Sequence, residues 1–172
     1  MEVYDSKNSV YKSAAHSGLI LGLAIIVLSI LIRVLGFSEG ALTFLIYQIF
    51  MAVGIAFGIK KYKEEQEGAF ISYAKALGLG LLIALFSGLI QAFFVYIYYR
   101  YISPEEMGAL VNSMQEVLMN MGKSDDEVEM ASSIISPSYF GFVILLKEAF
   151  KGLIFSLVIA AFLKKEKGIF EE

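Results

Sequence analysis

Lys147, Glu148 and Lys151 lie together in the middle of the apolar run Tyr139–Leu163. A lysine at mid-membrane depth costs about 2.5–3.5 kcal/mol on insertion scales, so two of them need relief. Glu148 and Lys151 stand three apart and can pair on one helix. Lys147 and Lys151 stand four apart, share a face and repel. Lys147 therefore needs a partner from another segment. Gln91 lies outward of the centre of the run Leu77–Tyr99, level with Lys147. Gln48, beside Tyr47, lies slightly outward of the centre of Ala41–Ile59, and Arg33 is near the outer end of Ser17–Leu35. These six residues describe a polar, partly hydrated cavity that opens outward and could take an anion or an acidic headgroup. The structural alternative is that Lys147 snorkels to the surface while Glu148 and Lys151 form a satisfied pair.

Other chemistry has few residues to work with. The chain has no cysteine, and its one histidine, His16, precedes the first apolar run. Thiolate metal sites, disulfides, thiol catalysis and a His-pair metal site within one chain are excluded. HExxH, the P-loop, GxSxG and GxGxxG have no counterpart. No cofactor is expected and no enzymatic activity is assigned. The net charge of −3 argues against nucleic acid as a partner.

These side chains must be positioned by four apolar runs, Ser17–Leu35, Ala41–Ile59, Leu77–Tyr99 and Tyr139–Leu163. Roughly 20 helical residues cross the ~30 Å hydrocarbon layer, and each run meets that length. Hydrophobic residues make up 58% of the 172. The expected fold is all-α: a polytopic four-helix membrane bundle forming a single membrane domain over 1–172. The long first run, starting well inside the chain, is not expected to be a cleaved signal. Nine lysines (7, 12, 60, 61, 63, 75, 164, 165 and 167) lie on one side of the runs. Arg33, Arg100 and Lys123 lie on the other. The positive-inside rule then places both termini and the Lys60–Lys75 connection in the cytoplasm. The cluster Phe93–Tyr99 suits an outer interfacial belt.

Small residues indicate how the helices meet. Ala76, Gly80, Ala84, Gly88 and Ala92 recur every four positions in the third run. Shorter tracks are Ala14, Gly18 and Gly22; Gly54 and Gly58; and Gly152, Ser156 and Ala160. In lipid, close backbone approach at such residues drives association. Contact within the chain is expected, with a second copy as the other option.

Between the third and fourth runs the pattern predicts an amphipathic helical hairpin over about 104–135, outside the membrane. Ser103-Pro104-Glu105-Glu106 reads as a helix start and Ser124-Asp125-Asp126-Glu127 as a second one. Met107, Leu110, Val111, Met114, Leu118 and Met121 share one face. Covering the outer mouth of the bundle is the expected use of that face, with docking of a membrane-protein partner second.

The middle of the chain also carries a resemblance. Ile46-Tyr47-Gln48-Ile49-Phe50, Gly54/Gly58, the exit Lys60-Lys61-Tyr62-Lys63, then Glu67–Tyr73 into Lys75–Gly78, and finally Tyr96–Glu105 resemble a bacterial four-span membrane family. This is domain of unknown function 4199, found mainly in Bacteroidetes. The resemblance implies an integral inner-membrane protein and supplies no activity or catalytic residues. The favoured reading is a non-enzymatic accessory or scaffold component. The alternative is a small transporter or channel component built around Lys147, Glu148 and Lys151.

Overall fold

Where no water reaches the backbone, an apolar segment satisfies its own peptide groups by coiling into a helix. The computed structural model of the chain is built almost entirely this way. It describes residues 2–37, 40–66, 68 and 70–165, with their side chains apart from 2–8 and 66. Lys167 of the basic tail, the Lys7 side chain, and Glu67 and Ala69 of the 67–73 stretch fall outside this description.

Six α-helices follow one another: α1 Glu2–Val34, α2 Ala41–Gln66, α3 Tyr73–Ile97, α4 Pro104–Asn120, α5 Asp125–Ile134 and α6 Pro137–Leu163. A π-helical turn, Tyr98–Ile102, closes α3. The described residues contain no strand, only an isolated antiparallel bridge between Ile71 and Lys165. Among the described residues, Ser9–Val34, Ala41–Glu65 and Tyr73–Ile102 are long and apolar enough to cross a membrane. α6 is as long, at 27 residues, but holds three charges near its centre and does not join them.

The helices outrun their apolar segments. α1 begins at Glu2 rather than near Ser17, and α2 continues past Ile59 to Gln66. Lysine, glutamate and glutamine favour helix as strongly as leucine does, and Lys60 and Glu64 pair at 3.9 Å along α2. The expected Lys60–Lys75 loop thus shrinks to the stretch between Gln66 and Tyr73.

α3 is the hub. It packs most heavily on α6, then on α1, and also touches α2. Its small-residue track is the reason. A methyl on Gly80 would strike Ser156 of α6, one on Gly88 would lie 2.9 Å from Glu148 Cβ, and Ala84 Cβ occupies the space in front of Gly152. Ala92 reaches Gly141 in the same way. On the other side, Gly18 and Gly22 of α1 abut Phe86, Ser87 and Ile90 of α3. Gly54 of α2 receives Leu21, and Gly58 receives Ile83 and Ser17.

The apolar core sits in the lysine-rich half, where Ala14, Leu21, Met51, Ile55, Ile59 and Leu79 are buried together with others. That end is tied further by polar contacts. Ile71 and Lys165 exchange backbone hydrogen bonds of 2.9 and 3.0 Å. Lys63 Nζ donates to the Leu163 carbonyl at 2.9 Å, satisfying an acceptor that the end of α6 leaves open.

The hairpin forms with α4 and α5 and turns at Gly122, whose φ of +77° suits glycine. α4 starts where expected, with Ser103 at its N-cap and Pro104 next, but no cap bond joins Ser103 and Glu106: the Ser103 hydroxyl bonds the Glu105 carboxylate at 2.8 Å, and Glu106 turns away to cationic and phenolic partners. Charge-assisted bonds outcompete a neutral amide for that carboxylate. Nor does the methionine-bearing face cover the bundle. α4 packs mainly on α5 and on the π-turn, which aims it away from the other helices. Of the predicted stripe only Met107 is buried, while Met114 and Met121 are exposed. The second start behaves as expected, with Ser124 and Glu127 bonding reciprocally, and Ser136 caps α6 through the Tyr139 amide at 3.2 Å.

Candidate functional site: a polar cavity between four helices

Away from the lysine-rich end α3 and α6 stay in contact, Ala92 against Gly141, and space remains between that pair and α1 and α2. A cavity of about 340 Å³ opens there, with walls from α1, α2, α3 and α6. Lys147, Glu148, Lys151, Gln91 and Gln48 all line it. Five of the six polar residues singled out in the sequence therefore meet in one space. Ile25, Ile26, Phe94, Val95 and Ile144 supply its apolar lining.

The three α6 charges are not equivalent. Glu148 is 3% exposed and forms an ion pair with Lys151. Its Oε1 carries that pair, while Oε2 is buried without a hydrogen-bond partner. An unsatisfied buried acceptor is costly, by about 1–3 kcal/mol or more when charged. The cavity offers the remedy, since about 340 Å³ far exceeds the ~30 Å³ share of one water molecule. Lys147 is exposed along the cavity and makes no ion pair or hydrogen bond among the described residues. Gln91 does not satisfy it. Its side-chain amide donates instead to Ser87, at 3.1 Å to the hydroxyl and 3.4 Å to the carbonyl. That bond links residues four apart on α3 and was readable from spacing.

Arg33 is elsewhere. It lines a second, larger cavity of about 700 Å³ toward the aromatic end, together with Tyr98 and Tyr99. Both cavities share Ser29, Phe44, Tyr47, Phe94, Val95 and Lys147, so Lys147 stands where they join. Arg33 Nη1 donates to both Glu106 oxygens and to the Tyr98 hydroxyl, each at 2.7 Å. Tyr98 in turn donates to Glu106 Oε1 at 2.7 Å, and the guanidinium stands 5.0 Å from the Tyr98 ring centre. Of the α6 charges only Lys147 shares a cavity with Arg33, whose hydrogen bonds build a latch joining α1, the π-turn and α4. Hydrogen bonding by Arg33 first, and Tyr98 second, holds the Glu106 carboxyl below the usual glutamate range. The Glu127 carboxyl is likewise lowered, by the Ser124 backbone amide first and Lys123 second. Sequence offered no sign of the latch, because Arg33 and Glu106 are separated by 73 positions.

Phe94, Tyr98, Tyr99 and Phe140 form a chain of ring contacts beside this second cavity, with centroids 5.4–6.1 Å apart. The family model for Protein of unknown function (DUF4199) matches residues 16–165. The chain belongs to the DUF4199 family. All six polar candidates, both cavities and the hairpin fall within the stretch that DUF4199 covers. No curated protein and no solved structure matches the chain.

The packing residues divide between helix pairs. Gly80, Ala84, Gly88 and Gly152 bring α3 and α6 together, while Gly54 and Gly58 lie against α1 and α3. Gly88 matters to the site as well. Its missing side chain admits the stem of Glu148, which holds that carboxylate at the cavity wall.

Proposed function

We propose that this DUF4199 protein crosses a bacterial cytoplasmic membrane four times, with both termini inside, and admits a small anion into a cavity open to the outside. In this reading it is a non-enzymatic transporter or channel component. The carrying observation is the meeting of Lys147, Glu148, Lys151, Gln91 and Gln48 on one cavity, with Lys147 unpaired at its junction with the outer space. α6 as fourth span fits the same picture. Its Glu148 is buried among the helices, while Phe142, Phe150 and Phe162 are exposed as a lipid-facing side requires. The lysine asymmetry supports the orientation.

The test uses a thiol reporter, which is clean because the chain has no cysteine. Gln48→Cys should react with membrane-impermeant methanethiosulfonates added outside. A negatively charged reagent should react faster than a positively charged one, by about tenfold for a nearby unpaired cation. Lys147→Leu should abolish that preference without loss of folded protein, since it removes a desolvation cost. Absence of outside labelling, or an unchanged preference after Lys147→Leu, defeats the reading.

A scaffold role retains one specific support. Met114, Val117, Met121, Met130 and Ile134 of the hairpin are exposed and unpartnered by the bundle. Crosslinking with and without residues 104–135 separates the two. A partner set that is unchanged by the deletion removes the scaffold reading.

A further inference from the structure

At the opposite end of the molecule, α1 and α2 leave an apolar groove of about 310 Å³ between them. Ile20, Ala24, Phe50, Val53 and Phe57 form its walls, and the Leu21 side chain over Gly54 closes its floor. Ile20, Phe50, Val53 and Phe57 are exposed, Phe57 at 67%. From Phe57 to Ile49 the groove runs about 12 Å at 1.5 Å per residue. That is most of the ~15 Å depth of one leaflet. Its lysine-rich end meets a second, polar pocket of about 180 Å³, and the two share His16, Ser17 and Lys61. Lys12, Ser13, Gly58, Tyr62 and Glu65 line the rest of this pocket, where two lysines stand against one glutamate.

We propose that this composite groove holds one anionic glycerophospholipid of the cytoplasmic leaflet, with its phosphate diester at Lys61 and Lys12 and an acyl chain between α1 and α2. The two parts match the two parts of such a lipid in order and in spacing. A basic pocket at the mouth of an interhelical groove recognises a phosphate, while an apolar groove alone does not choose among headgroups. Lys61 is half-buried and lines both the polar pocket and the groove, so it stands where the two meet. The proposal rests on α1 and α2 being membrane spans and is independent of any role for the polar cavity.

The chain has no tryptophan, so single reporters can be read without background. Phe57→Trp places one in the groove, and Phe162→Trp places one on the exposed side of α6, at 84% exposure. Each purified variant is reconstituted in phosphatidylcholine vesicles containing increasing brominated phosphatidylglycerol or brominated phosphatidylcholine. At Phe57→Trp the brominated phosphatidylglycerol should quench at about fivefold lower mole fraction, the scale of one lysine against an anionic lipid. At Phe162→Trp the two lipids should quench alike. Adding Lys12→Gln and Lys61→Gln to Phe57→Trp should erase the preference. Native mass spectrometry of the lysine-intact protein gives a second measurement, with one phosphatidylglycerol retained in preference to phosphatidylcholine. Equal quenching at Phe57→Trp, equal preference at Phe162→Trp, survival of the preference without the lysines, or equal retention of both lipids overturns the proposal. Absence of quenching by either lipid at Phe57→Trp overturns it together with the span assignment of α2.

Discussion

Glu148 shows how two neighbouring lysines acquire different roles. Lys151 neutralises it, and Lys147, one turn earlier, has no such duty. Lys151→Leu should therefore destabilise the fold by about 3–5 kcal/mol, because it strands a buried carboxylate. Adding Glu148→Leu should recover most of that loss, since a well-packed apolar pair replaces a buried ion pair at little cost. Thermal unfolding in detergent checks both, and a double variant no better than Lys151→Leu alone would contradict the pairing. At the aromatic end, Glu106 carries a pH dependence whose sign is fixed. Its folded pKa lies below the ordinary glutamate value of about 4.3, so its stabilising effect is full above that value. The effect is lost as pH falls through the lowered folded value. Arg33 and Glu106 are 54% and 40% exposed at the side chain, so screening limits the contribution to about 0.2–1 kcal/mol. Unfolding curves taken below about pH 4.3 should fall faster for the native chain than for Glu106→Gln. Parallel curves would show that the latch contributes nothing.

Between helices, the decisive variable is how near two backbones come. Gly152 faces Ala84, whose Cβ is fixed to the α3 backbone and cannot swing aside. Gly152→Val should cost about 1–3 kcal/mol by overpacking and should loosen α6 from α3. Gly78 lies on the same hub helix with open space where its Cβ would stand. Gly78→Ala should hold or raise stability, by up to about 1 kcal/mol of helix propensity. Two glycines on contacting helices thus predict opposite signs. Chemical unfolding of both variants reads the contrast, and equal effects would mean that the α3–α6 contact is not what the glycines serve.

The whole molecule divides by chemistry along its length. Apolar packing and lysine-to-backbone bonds close one end, while the polar cavity, the ring chain and the Arg33 latch occupy the other. Under the proposed topology, Ser124→Cys in the hairpin turn should label only from outside, and Glu65→Cys at the end of α2 only from the cytoplasm. Both side chains project from exposed positions, so reactivity reports location rather than burial. Labelling of both from one side would remove the four-span assignment and the outward opening of the cavity with it.

The sequence alone determined that the chain is helical and rich in membrane-length segments, because hydropathy and segment length follow directly from residue order. It also pointed to the hairpin, whose Ser124–Glu127 box and Gly122 turn are local bonds between near neighbours. The Glu148–Lys151 pair was legible for the same reason, three positions on one helix. Helix ends were less legible: Lys60–Gln66 changes polarity without losing helix propensity, so α2 runs on past its apolar run. Only the tertiary structure decided that α3 is the hub and that Glu106 turns to Arg33. It also decided that the hairpin's methionine face stays off the bundle, which no periodicity could reveal. Those outcomes depend on competition between partners distant in the chain. The strength of a hydrogen bond or a packing contact is set by where two backbones come to rest, and residue order states only which groups are available to compete.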